Sequence, residues 1–210
     1  GTGPYQEDYP QQRRKYQKNV RLIFNYDTLL SYIRWYSLIN TNTPQHSGKE
    51  KKSMEIKNLK SQSVVSIRTT ISLEQIQDVL GQGYEKVMEF LGRNGIQPAD
   101  APFALYRNED MQALDIEFGF PVPASAELDG LAKLVEREPE LRLAELPAGK
   151  AAVALHTGPY MQLEKTYTEL TNWVKQQGLE TSGICFERYI DDPGSVPENE
   201  LKTEVYFLLK

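Results

Sequence analysis

The chain has 210 residues, 40% hydrophobic and 25% charged, which fits one large globular domain or two small ones. No apolar run is long enough for a membrane span, and no secretory leader is expected. One cysteine, Cys185, and two histidines, His46 and His156, exclude an internal disulfide framework and argue against a structural zinc or histidine-rich metal centre. No cofactor is expected, and the cytoplasm is the expected compartment.

The net charge of −5 divides unevenly along the chain. Residues 1–53 carry nine Lys/Arg against four Asp/Glu, a balance of +5, and residues 54–210 carry the compensating −10. The first part reads poorly as a domain. It is polar with a basic cluster at Arg13-Arg14-Lys15, then apolar from Leu22 to Ile39, then polar again. It is too short of elements for a helix-turn-helix module with its supports. Gly48-Lys49-Glu50-Lys51-Lys52-Ser53-Met54 reads as a translated ribosome-binding site. The expectation is that Met54 is the natural start, and that 1–53 is a poorly structured or spurious extension.

The organised part begins beyond it. Val64 to Ile71 is a strand candidate rich in β-branched residues. Ser72 and Gln75 form a capping-box pattern. Leu73, Ile76, Leu80, Tyr84, Val87 and Leu91 then mark one face of a helix that Gly95 ends. Phe103 to Arg107 and Ala113 to Val122 are strands joined by an Asn108-Glu109-Asp110 turn. A short helix is expected around Leu128 to Val135. Leu141 to Leu146 and Ala151 to His156 are strands around a Pro147-Ala148-Gly149 turn. Tyr160, Leu163, Tyr167, Leu170 and Val174 give a second amphipathic helix, closed by Gly178. Ile184 to Ile190 and Lys202 to Leu209 form the last hairpin, around an acidic loop with Pro193 and Pro197.

A shift of 83 residues places Tyr84 on Tyr167, Gly95 on Gly178, Phe103 on Phe186 and Tyr106 on Tyr189. The apolar pattern between them matches too, so the chain reads as an internal duplication. The expected fold is α+β: a β-α-β-β module twice, with halves at about 55–122 and 141–209, antiparallel strands, two main helices and a ligand cleft between the halves.

Strand alternation then sorts the side chains. Phe103 and Phe186 are expected under a helix, and Ile116, Phe118, Phe120, Val205, Phe207 and Leu209 are expected to face the core. Cys185, Glu187, Tyr189, Ala104 and Tyr106 fall on the opposite, cleft face. Asp115, Glu117, Gly119, Glu204 and Tyr206 are expected to join them there. Glu187, in mid-strand, fits two readings on residues alone. One is an exposed carboxylate paired with Arg188 or Lys202. The other is an acid at the bottom of a pocket walled by Tyr106, Tyr189 and Tyr206, which would favour lipophilic cations. His156 reads as a satisfied loop-edge residue rather than a ligand. Gly81-Gln82-Gly83 lacks the strand-turn-helix context of a phosphate loop.

His156-Thr157-Gly158-Pro159-Tyr160, Tyr167-x-x-Leu170-x-x-Trp173, Gly178, Phe186-Glu187-Arg188-Tyr189 with Asp191-Asp192-Pro193, and Val196 to Val205 together resemble the GyrI-like family. This is the bacterial effector-binding domain that also ends several multidrug-sensing transcription activators. The resemblance covers residues 54–210. It implies a ligand cleft in which Glu187 meets the ligand's positive charge and Tyr160, Tyr189 and Tyr206 are pocket aromatics. The expected ligand-binding set is Glu187, Tyr189, Tyr106, Tyr160, Tyr206 and Glu117. Residues 1–53 do not look like the DNA-binding domain of the regulators, and a charge of −10 argues against direct DNA contact. The leading expectation is a stand-alone sensor or sequestering protein for small amphipathic, cationic molecules. One alternative is a hydrolase of cyclopropane-containing compounds, using Glu187 with Tyr160 or Tyr189. Another is a protein-interaction role, with a regulator or a topoisomerase as partner, such as gyrase inhibition.

Overall fold

The computed structural model describes residues 54–210, except 111, 125–127 and 194. The expectations for residues 1–53 lie outside the described residues. Eight strands, β1 (Met54–Leu59), β2 (Gln62–Ile71), β3 (Phe103–Tyr106), β4 (Leu114–Pro121), β5 (Arg142–Leu146), β6 (Gly149–Thr157), β7 (Thr181–Tyr189) and β8 (Lys202–Leu209), form one curled antiparallel sheet. Helices α1 (Ile76–Arg93) and α3 (Leu163–Gln176) pack on it, and a short α2 (Leu128–Val135) links the halves.

The strand order is β1-β6-β8-β7-β3-β4-β2-β5. Read from the β7–β3 contact outwards, it is the same sequence of elements twice, so the duplication is built into the sheet. Strand β1, which no sequence signal singled out, gives each half a leading strand. Each leading strand crosses over: β1 pairs β6 of the second half, and β5 pairs β2 of the first. The two halves are thus clasped by each other's edge.

Helix α1 has 18 residues and α3 has 14, so the first half carries about one extra turn. Ser72 and Gln75 close the expected capping box ahead of α1. Gly95 at φ +70° and Gly178 at φ +67° end the paired helices in the left-handed region. Gly83 serves close packing instead. A Cβ there would lie 2.3 Å from the Phe118 ring, so only glycine lets α1 sit so near β4.

Two apolar clusters fill the two faces. Under the helices lie Leu80, Tyr84, Leu91, Ile116, Phe118, Phe120, Tyr167, Leu170, Val205 and Phe207. The reverse face holds Val64, Phe103, Leu105, Leu146, Val153, Phe186, Tyr206 and Leu208. The expected placement of Phe103 and Phe186 under a helix is therefore corrected. Both lie on the reverse face, and Ala104, Tyr106, Cys185 and Tyr189 lie under the helices. Burial on both faces is the physical reason. Alternation assigns residues to two sets but does not say which set meets the helices.

Candidate ligand site

Strands β3 and β7 meet with Ala104 opposite Glu187 and Leu105 opposite Phe186. Ala104 and Glu187 correspond in the repeat, so the pseudo-twofold axis passes through their contact. Glu187 is thus a carboxylate close to the axis, and alanine occupies its counterpart position. It is 5% exposed. Neither Arg188 nor Lys202 neutralises it, and no ion pair to it exists among the described residues. Instead the Tyr167 hydroxyl donates to Oε1 at 2.6 Å and the Tyr189 hydroxyl donates to Oε2 at 2.7 Å. The Tyr106 hydroxyl is hydrogen-bonded to that of Tyr189. Burial pushes the Glu187 carboxyl up, and the two hydroxyl donors pull it partly back. Burial also raises Tyr84, Tyr106 and Tyr189 well above the usual phenol range, with the Glu187 charge adding to the effect.

The helices supply this cage through matched residues. Tyr84 lies edge-on to Phe120 at 5.6 Å, and Tyr167 is tilted against Phe207 at 5.5 Å. Their hydroxyls go to different places. Tyr84 donates to the Phe103 carbonyl at 2.8 Å, whereas Tyr167 donates to Glu187. The sequence marked both as core residues of a helix face and missed their part in the site. The available signal was tyrosine at the same central position of both helix stripes, where leucine would pack without needing a partner.

Tyr160 caps the cage from the turn before α3. Its ring meets Tyr189 edge-on at 5.8 Å. Its hydroxyl is buried and has no hydrogen-bond partner among the described residues. Thr203, directly across from Tyr189 on β8, also carries a buried hydroxyl without a partner. Each such group costs about 1–3 kcal/mol when left unpaired. His156, across from Thr203 on its other side, is fully engaged: Nδ1 meets Thr166 Oγ1 at 2.9 Å and Nε2 meets the Pro159 carbonyl at 3.0 Å. A carbonyl only accepts, so Nε2 carries a proton.

Beside the cage lies a cavity of about 380 Å³ between residues 97–102 and 190–193. Tyr84, Phe120 and Tyr189 form its aromatic wall, and Asp100, Asp191 and Asp192 stand at its edge. Tyr189 therefore has two roles: its ring lines the cavity and its hydroxyl holds Glu187.

Two expected site residues fall elsewhere. Tyr206 is opposite Phe186 and Glu117 is opposite Leu105, which puts both on the reverse face, away from Glu187. There Tyr206 stacks on Phe186 at 4.3 Å and donates to Glu204, which joins it on that face. Glu117, 2% exposed, accepts from Ser66 at 2.8 Å and pairs with Arg107 and Arg142. Asp115 pairs with Arg68. The structure thus brings together Glu187, Tyr189, Tyr106 and Tyr160, adds Tyr84, Tyr167 and Thr203, and separates Tyr206 and Glu117.

Among the described residues no group of His, Cys, Asp and Glu is placed to hold a metal, and no helix is long and apolar enough to cross a membrane. The curled antiparallel sheet thus carries, under its helices, a buried acid in a tyrosine cage. The chain belongs to the GyrI-like family: the GyrI-like small molecule binding domain matches residues 52–210. The fold is shared with the C-terminal domain of EcmrR, at TM-score 0.62 and 20% identity over 77% of this chain and 99% of that one. It is also shared with a hydrolase from Listeria innocua, at TM-score 0.56 and 15% identity over 77% and 94%. SAV2435 bound to tetraphenylphosphonium matches at TM-score 0.51 and 16% identity over 75% and 94%. No curated protein matches the chain.

Proposed function

We propose that residues 54–210 form an effector-binding domain for small amphipathic cations, with Glu187 as the charge partner and Tyr189, Tyr106, Tyr160, Tyr84 and Tyr167 as the aromatic surround. The observation that carries this reading is the state of Glu187. It is buried at the pseudo-twofold axis with hydroxyl donors on both oxygens and, among the described residues, no cation paired to it. An acid so placed is costly unless it is protonated or met by a positive charge. The cavity beside it supplies room for an apolar body, and Asp191 and Asp192 among its lining residues favour cations there. Aromatic faces add about 0.5–2 kcal/mol per cation contact. The domain acts as a sensor or sequestering module in this reading, and any regulation runs through a protein partner.

The test is a Trp/Tyr fluorescence titration with tetraphenylphosphonium on the wild type and on Glu187→Gln. The reading requires saturable binding that weakens at least tenfold in the variant, about 1.4 kcal/mol. It also requires affinity to rise with pH through the Glu187 titration, because the ionised carboxylate is the binding form. Equal binding by both proteins would reject it. Hydrolysis with the same carboxylate as general base is the second reading, favoured by the contact of Glu187 with two hydroxyls that can position it. Product formation from a bound compound, lost in Glu187→Gln, would establish it.

A further inference from the structure

The unpaired hydroxyls of Tyr160 and Thr203 are the feature that the cation reading leaves unused. Tyr160 is 5% exposed and Thr203 is 0% exposed, so neither relies on bulk water. Both residues neighbour Tyr189. Thr203 is the cross-strand neighbour of Tyr189 on the helix-covered face, and the Tyr160 ring meets Tyr189 edge-on. The segment between them is pinned from the other side. His156 is the second cross-strand neighbour of Thr203, and its Nε2 holds the Pro159 carbonyl, one residue before Tyr160. Tyr160 and Thr203 are therefore both neighbours of Tyr189, whose own hydroxyl touches Glu187.

We infer that Tyr160 Oη and Thr203 Oγ1 form a polar subsite beside Glu187, which makes this domain selective for amines that carry an N–H, in preference to quaternary or phosphonium cations. The inference rests on the cation-binding reading and narrows its ligand class. A protonated primary, secondary or tertiary amine brings both a charge and one to three N–H donors. A carboxylate has about four acceptor positions, and two of those on Glu187 are taken by Tyr167 and Tyr189. The ammonium can donate to the remainder, and the flanking hydroxyls accept or donate to the ligand's other polar atoms. A tetraphenylphosphonium ion satisfies the charge alone. It leaves both hydroxyls buried and unpaired, and a site with unpaired polar groups discriminates against such a ligand.

The experiment uses the full chain and two probes, propranolol, a protonated aryloxy amino alcohol, and tetraphenylphosphonium, with calorimetric titration of the wild type, Thr203→Val and Tyr160→Phe. The expected result is a ratio of propranolol to tetraphenylphosphonium affinity that falls about tenfold in each variant. An unchanged ratio in both would overturn the subsite while leaving the cation reading intact. Failure of the wild type to bind either probe would overturn the cation reading and the subsite with it. A second measurement needs no ligand. Because the hydroxyls have no partner, removing them is expected to leave Tm unchanged or raised. A lowered Tm in Thr203→Val and Tyr160→Phe would show that they serve the fold, and would overturn the inference.

Discussion

On the reverse face of the sheet, Glu117 and Glu204 hold corresponding places in the two halves: Glu117 stands opposite Leu105 and Glu204 opposite Arg188, which match in the repeat. Each has its cations. Arg107 and Arg142 reach Glu117, and Lys57 and Arg188 reach Glu204. On the helix-covered face, Glu187 is as deeply buried as Glu117 and pairs with no cation among the described residues. Its oxygens meet tyrosine hydroxyls instead. The reverse-face acids are explained by the fold itself, as charge pairs that offset their own desolvation. Glu187 is not, and its counterpart in the first half is alanine. The cage is near-symmetric in its tyrosines and asymmetric in its charge, with alanine and glutamate at matched positions. A buried acid points to a ligand only where the protein has not already supplied the cation.

The largest effect that separates the two faces is expected from Glu117→Ala. It leaves Arg107 and the Ser66 hydroxyl without their partner, and a urea melt should show a loss of roughly 2–3 kcal/mol, below the full buried-pair value because Arg107 reaches solvent. Cation affinity should not change. If it does, the two faces are coupled and the comparison fails. Gly83→Ala tests the docking of α1 on the helix-covered face. Its methyl meets the Phe118 ring, so a net loss of about 1–2 kcal/mol is expected despite the better helix propensity of alanine. A stabilised variant would mean that the helix is free to move off β4. Tyr167→Phe removes one of the two donors to Glu187 and should cost about 1 kcal/mol. Unlike Glu117→Ala, it should also drive the Glu187 titration further up.

The smallest effect carries a sign. Burial raises the Glu187 pKa above its unfolded value, so the folded protein holds this proton more tightly. The resulting stability is fully present below the unfolded pKa and is lost as pH rises through the folded one. Glu187→Gln removes that dependence, so its Tm advantage over the wild type should grow with pH across this window. A gap that is constant with pH would show that Glu187 does not titrate differently in the fold.

Much of this was legible in the residues. The helix stripes ending at Gly95 and Gly178 and the pairing of Tyr84 with Tyr167 and of Tyr106 with Tyr189 follow from spacing and repeat, and Glu187 stood out as a carboxylate in mid-strand. The GyrI-like resemblance suggested a charge-pairing role for that acid. The strand faces were not legible. Phe103 and Phe186 are as apolar as Phe118 and Phe207, and each set has its own buried cluster. Alternation therefore grouped Glu187 correctly with Tyr189 and Tyr106, yet misplaced Tyr206 and Glu117, whose set meets the other cluster. Register between strands decides that, and register is a long-range property. The edge strand β1 was hidden for the same reason, since its partner β6 lies far along the chain. The unpaired hydroxyls of Tyr160 and Thr203 are visible only once neighbours are known.

The most direct test of the central claim is a carbon-13 NMR titration of the Glu187 side-chain carboxyl, assigned by Glu187→Gln, with and without saturating tetraphenylphosphonium. The account predicts a midpoint above the ordinary glutamate range in the free protein and a clear downward move when the cation is bound, because a nearby positive charge favours the ionised form. A midpoint that the bound cation leaves in place would contradict it, and would put the ligand's charge somewhere other than Glu187.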